Sequence, residues 1–394
     1  MIFDSLFQLM ADKQASDLFV TAGAPIHIKI QGHTMPINQK VMDPGMVQRM
    51  VAEAVTPEQM ERFQRERELN LSFGRRDLGN FRVNVFWQRN SMAVVVRFIQ
   101  CEIPTIEQLG LPRILSELVL EKRGLILVVG ATGSGKSTTL ASMLDHRNRS
   151  RSGHILTVED PIEYLFQHRK SVVNQREVGI DTLSWEEALR NAMRQAPDCI
   201  LIGEIRDRET MQAALAYSQT GHLCLATLHA NNAYHALNRI INFFPLENRQ
   251  LLYLDLAVAL RCIVSQRLVR KPDSKRAPAV EIMLNTRHIA ELIEQGSINE
   301  IKEAMEQSLA PGSQTFEQDL FRLYHEKVIS LEEALANADS PTNLEWLINN
   351  ARFDDEGHRL DPATNSSLIS FAGHDDAGPS FAELTLTLDK DAAR

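Results

Sequence analysis

The chain has 394 residues, 44% of them apolar and 24% charged, with a formal net charge of −9. That is the make-up of a globular protein long enough for two or three domains, each able to bury a core. It excludes a membrane-spanning protein, because no apolar run is long enough, and it speaks against a nucleic-acid binder, which needs clustered Lys and Arg to neutralise phosphates.

Residues 1–100 read as a small α/β domain. The start, Met1-Ile2-Phe3-Asp4-Ser5, has neither the basic nor the apolar region of a secretory signal, so a cytoplasmic location is expected. The pattern predicts a helix over Ile2 to Asp12, short strands at Asp17 to Thr21 and His27 to Gln31, and helices over Val47 to Ala54 and Pro57 to Glu66. Leu69 to Phe73, Phe81 to Trp87 and Met92 to Ile99 then alternate apolar and polar residues between polar turns, the pattern of an antiparallel meander. Arg82 and Arg97 lie on these strands, and local spacing reads them as solvated strand arginines.

Residues 101–111 carry Pro104 and Gly110, and Pro112 follows, so this stretch reads as a linker. Residues 112–285 alternate helices with apolar strands. Helices are predicted at Arg113 to Glu121, Lys136 to His146, Trp185 to Gln195 and Asp207 to Thr220, and strands at Leu125 to Val129, Ile155 to Val158, Cys199 to Ile202 and Leu223 to Thr227. The order implies a parallel sheet covered on both faces, with ligands at the C-terminal ends of the strands. Directly after the first of these strands stands Gly130-Ala131-Thr132-Gly133-Ser134-Gly135-Lys136-Ser137, followed by Thr138. This is a complete G-x-x-x-x-G-K-S phosphate loop in its required strand-to-helix setting. Its glycines let backbone N–H groups surround phosphate oxygens, Lys136 supplies a point charge, and Ser137 offers a hydroxyl to Mg²⁺. ATP and Mg²⁺ are therefore the expected ligands.

Three later strand ends carry further chemistry. Thr157-Val158-Glu159-Asp160-Pro161-Ile162-Glu163 places three acids past a strand, where one carboxylate can activate water, although such residues also serve as plain turn formers. Ile200-Leu201-Ile202-Gly203-Glu204 closes an apolar strand on an acid, the Walker-B arrangement that positions the metal. His222 and His229 bracket one short strand; each alone reads as a structural histidine, and a histidine at the C-terminal edge is also placed to sense phosphate. Cys199, Cys224 and Cys262 sit in apolar runs and read as small buried hydrophobes, and with Cys101 they form no C-x-x-C pair.

After Asn231, helices are predicted at Ala233 to Asn242 and Asn248 to Arg261, then a strand at Ala279 to Leu284. Residues 286–353 read as a helical subdomain with helices at Ile289 to Glu294, Ile298 to Ser308, Phe316 to Glu326, Leu331 to Ala336 and Asn343 to Asn350. Residues 354–394 hold nine acids against Arg359, Lys390 and Arg394, so most of the net charge lies in what reads as a disordered acidic tail, with Phe381 to Leu388 able to pair as an edge strand.

Four segments together resemble the secretion ATPase superfamily, and most closely the type IV pilus retraction motors of the PilT/PilU family. They are the Walker A loop Gly130 to Thr138, the Asp box Thr157 to Glu163, the Walker B segment Asp198 to Asp207 and the His box Thr220 to His229. The resemblance covers roughly residues 1–350 and implies a PAS-like N-terminal domain joined to a RecA-like ATPase core. It implies that Glu163 is the general base for water, Glu204 the Walker-B acid, and His222 and His229 nucleotide-sensing residues. It also implies that Arg82 and Arg97 reach the γ-phosphate, against their local reading. The family setting implies a hexameric ring at the cytoplasmic base of the pilus, acting on an inner-membrane platform protein to depolymerise pilin in twitching motility, with no nucleic acid involved.

Two departures place the chain within that family. The four-cysteine zinc module of the assembly motors is absent, which disfavours the extension branch. The Ala-Ile-Arg-Asn-Leu-Ile-Arg-Glu segment of PilT-type motors is replaced by His288-Ile289-Ala290-Glu291-Leu292-Ile293-Glu294-Gln295, which looks more like the PilU branch, an accessory ATPase associated with a PilT-type motor. The alternatives are a nucleotide-regulated binding subunit of a partner motor and, with less support from the negative charge, a DNA-translocating relative.

Overall fold

The computed structural model describes residues 2–75, 78–99, 102–350, 352–353 and 359–360. The acidic tail, the strand reading at Phe381 to Leu388 and Cys101 lie outside the described residues.

The N-terminal unit is a six-stranded, wholly antiparallel sheet of order β3-β2-β1-β6-β5-β4. Its strands are β1 (Asp17–Thr21), β2 (His27–Ile30), β3 (His33–Pro36), β4 (Glu68–Arg75), β5 (Gly79–Gln88) and β6 (Ser91–Ile99). The helices α1 (Ile2–Asp12), α2 (Pro44–Ala54) and α3 (Pro57–Glu66) belong to the same unit. Period-two patterning decides the faces: Phe81, Val83 and Val85 of β5 are buried in a cluster with Phe7, Val47 and Phe63, and the intervening Arg82 and Asn84 point to the other face. The α3 start is fixed by Thr56 and Gln59, whose side chains satisfy each other's backbone N–H groups.

The second sheet has seven strands in the order β13-β12-β7-β11-β10-β8-β9. These are β7 (Gly124–Val129), β8 (Gly153–Glu159), β9 (Ser171–Glu177), β10 (Cys199–Ile202), β11 (Leu223–Leu228), β12 (Leu260–Arg270) and β13 (Arg276–Leu284). All pairs are parallel except β12 with β13. Helices α4 (Ile114–Leu118), α5 (Lys136–Ser150), α6 (Trp185–Ala192), α7 (Arg208–Gln219), α8 (Ala233–Asn242) and α9 (Arg249–Ala259) occupy the crossovers and flanks. The two faces of β7 separate two apolar clusters: Leu125, Leu127 and Val129 join α7 and α8, while Ile126 and Val128 join α4 and α5. A strand buried on both faces is the reason this segment reads as an uninterrupted apolar run.

Three strands depart from the sequence reading: β3, whose four residues are all exposed and so carry no apolar signal, β9 and β12. β9 reads Ser-Val-Val-Asn-Gln-Arg-Glu and lies at the sheet edge, so only part of it is apolar and no run marks it. The expected helix over Asn248 to Arg261 ends at Ala259, and Leu260 turns directly into β12 with φ −64° and ψ 138°. No Gly or Pro marks that switch, and an apolar helix face running into an apolar strand hides it. Cys199, Cys224 and Cys262 are fully buried, as expected.

The remaining helices are α10 (Arg287–Gln295), α11 (Ile301–Glu306), α12 (Phe316–His325), α13 (Leu331–Asn337) and α14 (Pro341–Asn350), followed by the short pair β14 (Arg352–Phe353) and β15 (Arg359–Leu360). Phe316, Leu320, Ile329 and Leu344 share an apolar cluster with Val269 of β12 and Ala279 of β13. Ile106 and Leu111, in the stretch read as a linker, pack into the core cluster beside Leu115.

Candidate active site

At the C-terminal ends of β7, β8, β10 and β11 lies a pocket of about 610 Å³, walled by Thr132, Lys136, Glu159, Glu163, Glu204 and His229 among others. The parallel sheet puts these residues together, because every strand's carboxyl end opens on the same edge.

The phosphate loop turns through Gly130, Gly133 and Gly135, with φ of 156°, 78° and 90°. A Cβ at Gly130 would meet Ser134 Oγ at 2.4 Å and the Gln266 carbonyl at 2.5 Å, so only glycine fits there. Lys136 is buried and its Nζ donates to the carbonyls of Gly130 and Ala131, both at 2.9 Å. Burial lowers its pKa, and the neighbouring Glu204 carboxylate opposes that shift. The loop is braced from β12 by Gln266, whose Nε2 donates to Ser134 O at 2.8 Å and whose Oε1 accepts from Thr139 Oγ1 at 2.6 Å. Gln266 escaped the sequence reading because its strand did. Thr138 Oγ1 lies 2.9 Å from the Tyr164 hydroxyl.

A nucleotide's phosphates fit this cradle on three counts: the glycine turns, the buried Ser134 Oγ that has no partner, and an amine folded over its own loop within reach of the pocket. Ser137 is exposed to the pocket. Among the described residues no three His, Cys, Asp or Glu side chains converge into a metal cage. A magnesium ion at this site would take Ser137, Glu204 and substrate oxygens, the usual set for a hard cation that keeps its waters.

Glu204 follows β10 and is held on two sides, by Arg206 Nε at 2.7 Å and by His229 Nε2 at 3.3 Å. Arg206 also reaches Asp160 at 3.4 Å. Burial, and then the Lys136 charge, lower the His229 pKa from 6.5, which favours its neutral imidazole. A neutral ring hydrogen-bonds a carboxylate through whichever nitrogen carries the proton.

The three acids of the Asp box separate. Glu159 ends β8, is buried, and has its pKa pushed up to about 7 by desolvation; bonds from Thr157, Gln175 and the Glu163 backbone pull the other way. Asp160 faces Arg206, and Glu163 lines the pocket. The turn between them is framed by β9. Gln175 Nε2 donates to Glu159 Oε1 at 3.2 Å and to Tyr164 O at 2.8 Å, while Gln175 Oε1 accepts from the Phe166 N–H at 2.9 Å. Glu177, two residues on and so on the same side of the strand, accepts from the Ile162 N–H at 3.1 Å.

The two N-terminal arginines stand directly opposite each other across β5 and β6. Arg82 reaches into the core, donating to Glu177 Oε2 at 2.6 Å and to Ile162 O at 3.0 Å. Arg97 stays on its own sheet, paired with Asp17 at 2.9 Å, and borders a wider cleft of about 1340 Å³ between the N-terminal unit and the core. Glu163 and Tyr164 line both the cleft and the pocket. The two histidines are not brought together. His229 closes the C-terminal end of β11, whereas His222 stands before its first residue beside Thr220 and the Tyr217 carbonyl, about 20 Å away along the strand. Within one chain the pocket therefore gathers Lys136, Glu163, Glu204 and His229, with Arg82 one contact removed.

Comparison with known proteins agrees with this geometry. The family described as "Type II/IV secretion system protein" matches residues 1–333. The chain is 46% identical to the type IV pilus ATPase PilU of Pseudomonas aeruginosa over 97% of its own length and 100% of that protein's. It is 38% identical to the type IV pilus retraction ATPase PilT of the same organism, over 86% of this chain and 98% of that protein. The crystal structure of the pilus retraction motor PilT with bound ADP superposes with a TM-score of 0.81 at 40% identity, covering 87% of this chain and 98% of that one.

Proposed function

This chain belongs to the type II/IV secretion system protein family, among the type IV pilus ATPases of the PilT/PilU group, and from that premise we propose how its residues hydrolyse ATP in a pilus retraction motor. The observation that carries the reading is one pocket in which a phosphate loop faces both Glu163 and Glu204. Lys136 exchanges its two loop carbonyls for phosphate oxygens. Glu204, with Ser137, would hold Mg²⁺, which when bound would neutralise charge developing on the phosphates. Glu163 takes the proton of the attacking water. His229, favoured as the neutral ring and touching Glu204, reports on what occupies the metal position. Arg97 and Arg82 stand on the sheet face that would close over the cleft, and His222, at the far strand end, has no part in the pocket of its own chain.

For the machine as a whole, residues 112–285 serve as the motor core and residues 1–100 as the part that moves against it. Copies form a hexameric ring at the cytoplasmic base of the pilus, acting on an inner-membrane platform protein beside a PilT-type motor. In purified protein, Glu163→Ala and Glu204→Ala should each lower kcat by about 100-fold or more, while Lys136→Ala should also raise KM. A parent rate in either glutamate variant overturns the assignment. If a Lys136→Ala chain restores pilus retraction in cells that keep the partner motor, the biological role is that of a nucleotide-regulated binding subunit, the reading suggested by the changed segment at His288 to Gln295.

A further inference from the structure

Both backbone polar groups of Ile162, the residue immediately before Glu163, are held by side chains from elsewhere. Its N–H donates to Glu177 Oε2 at 3.1 Å, and its C=O accepts from Arg82 Nη2 at 3.0 Å. The same Nη2 and Oε2 atoms meet at 2.6 Å, which closes a triangle of core strand, Asp-box turn and N-terminal sheet. Ninety-five residues separate the two ionic partners in sequence.

The sheet itself explains why Arg82 looks outward. Lys29, Asp17, Arg97, Arg82 and Ser72 stand in one cross-strand row. Asp17 satisfies Arg97, which leaves Arg82 with a like charge on one side and the uncharged Ser72 on the other. Glu177 provides an acid. It is 7% exposed, so its charge has left water and depends on the guanidinium and on the Ile162 N–H. The contact is made through one nitrogen: Arg82 Nε is buried without a partner, so the two-point fork of a tight Arg–carboxylate pair is not formed. The guanidinium is aimed by the Ile162 carbonyl as much as by the carboxylate. No apolar cluster among the described residues joins the N-terminal sheet to the core, so movement of that sheet strains this triangle first.

We propose that Glu177 is a positioning residue through which the placement of the N-terminal sheet sets the orientation of Glu163. With Arg82 seated, Ile162, the residue before Glu163, is held at both its N–H and its C=O. With the sheet displaced, the carbonyl is released and the turn carrying Glu163 is held on one side only. Hydrolysis is thereby tied to domain position through the contacts of Arg82 with Glu177 and Ile162. This rests on the assignment of Glu163 as the base.

The test is steady-state ATPase kinetics on the full chain, with rates taken per bound nucleotide so that misfolded protein does not count. Glu177→Ala should lower kcat about tenfold or more with KM for ATP within about twofold. Glu177→Gln, which keeps an acceptor for the Ile162 N–H, should recover most of the rate. Arg82→Ala should resemble Glu177→Ala, and the double variant should lose little more than either single one. In a Glu163→Ala background, Glu177→Ala should have no further effect. A parent rate in Glu177→Ala while Glu163→Ala is inactive overturns this inference alone; a parent rate in Glu163→Ala overturns it together with the assignment of the base. A rise in kcat on removing Glu177 would mean that it restrains an arginine whose task is at the phosphates, and would also overturn the proposal. Should Glu177→Ala not fold, the Gln variant and the Arg82→Ala series decide by the same criteria.

Discussion

The two regions that flank the ATPase core are fastened to it in different ways. The N-terminal sheet has its own apolar cluster, shares none with the core among the described residues, and faces it across a cleft of about 1340 Å³ with Arg82 reaching over. The C-terminal helices share the cluster around Phe316 with β12 and β13, and polar contacts reinforce it. Arg267 bonds Asp339 and the Asn337 carbonyl, lies 4.0 Å from the centre of the Phe316 ring, and reaches Asn231 O at 3.3 Å. Asn232 donates to Asp339 at 2.7 Å, and Lys302 pairs with the buried Glu317 at 3.3 Å. Asn231 and Asn232 stand two and three residues after His229, so this second joint is continuous with the end of the pocket. A joint built on apolar burial unfolds with the core, and one built on few polar contacts opens at lower cost.

The largest expected effect probes that contrast directly. Phe81→Ala and Phe316→Ala each empty a fully buried aromatic site and should each cost about 3–5 kcal/mol. Hydrogen exchange should show the first loss confined to the N-terminal sheet, and the second spread over α12, β12 and β13. Equal spreading in both variants would break the comparison.

A smaller effect is expected at Asp339. Burial acts to raise its pKa, but the bonds from Asn232 and Arg267 prevail and hold it below the ordinary 3.8. A carboxylate with a depressed folded pKa contributes stability above its unfolded value and loses it as pH falls through the folded one. Asp339→Asn should therefore cost about 2 kcal/mol in denaturant unfolding at pH 7 and nearly nothing in strong acid. A cost independent of pH would show that shape, not charge, fastens this joint.

The smallest effect concerns Glu281 of β13, which accepts from the Ala233 N–H at 2.7 Å and Ser265 Oγ at 2.8 Å. Burial pushes its pKa from 4.5 up to about 7. The folded chain then binds more protons than the unfolded one between those values, so this group's contribution to stability falls as pH rises through that window. Glu281→Gln should flatten the fall by about 1 kcal/mol per pH unit between pH 5 and pH 7. An unchanged slope in thermal or denaturant unfolding would refute the assignment of that window to Glu281.

The phosphate loop was legible because all its determinants are local: a fully apolar strand, glycines with positive φ, and a lysine opening a helix. Glu204 was legible for the same reason. The Asp box was legible as a set of three acids but not as three environments, since burial of Glu159 and exposure of Glu163 to the pocket depend on β9, which the reading passed over. His222 and His229 looked equivalent as the two ends of one motif; a strand's length puts them on opposite edges of the sheet.

The amino-acid sequence by itself determined where the glycine loop turns between strand and helix, which strands are buried on both faces, and which acids stand at their ends, because periodicity and turn chemistry act over a few residues. Tertiary structure alone decided that Gln266 braces the loop, that Arg267 clasps the turn after His229, and that Arg82 meets Glu177. These are pairings of buried polar groups far apart in the chain, and such groups find their partners only once the sheets are packed and water has been removed from between them.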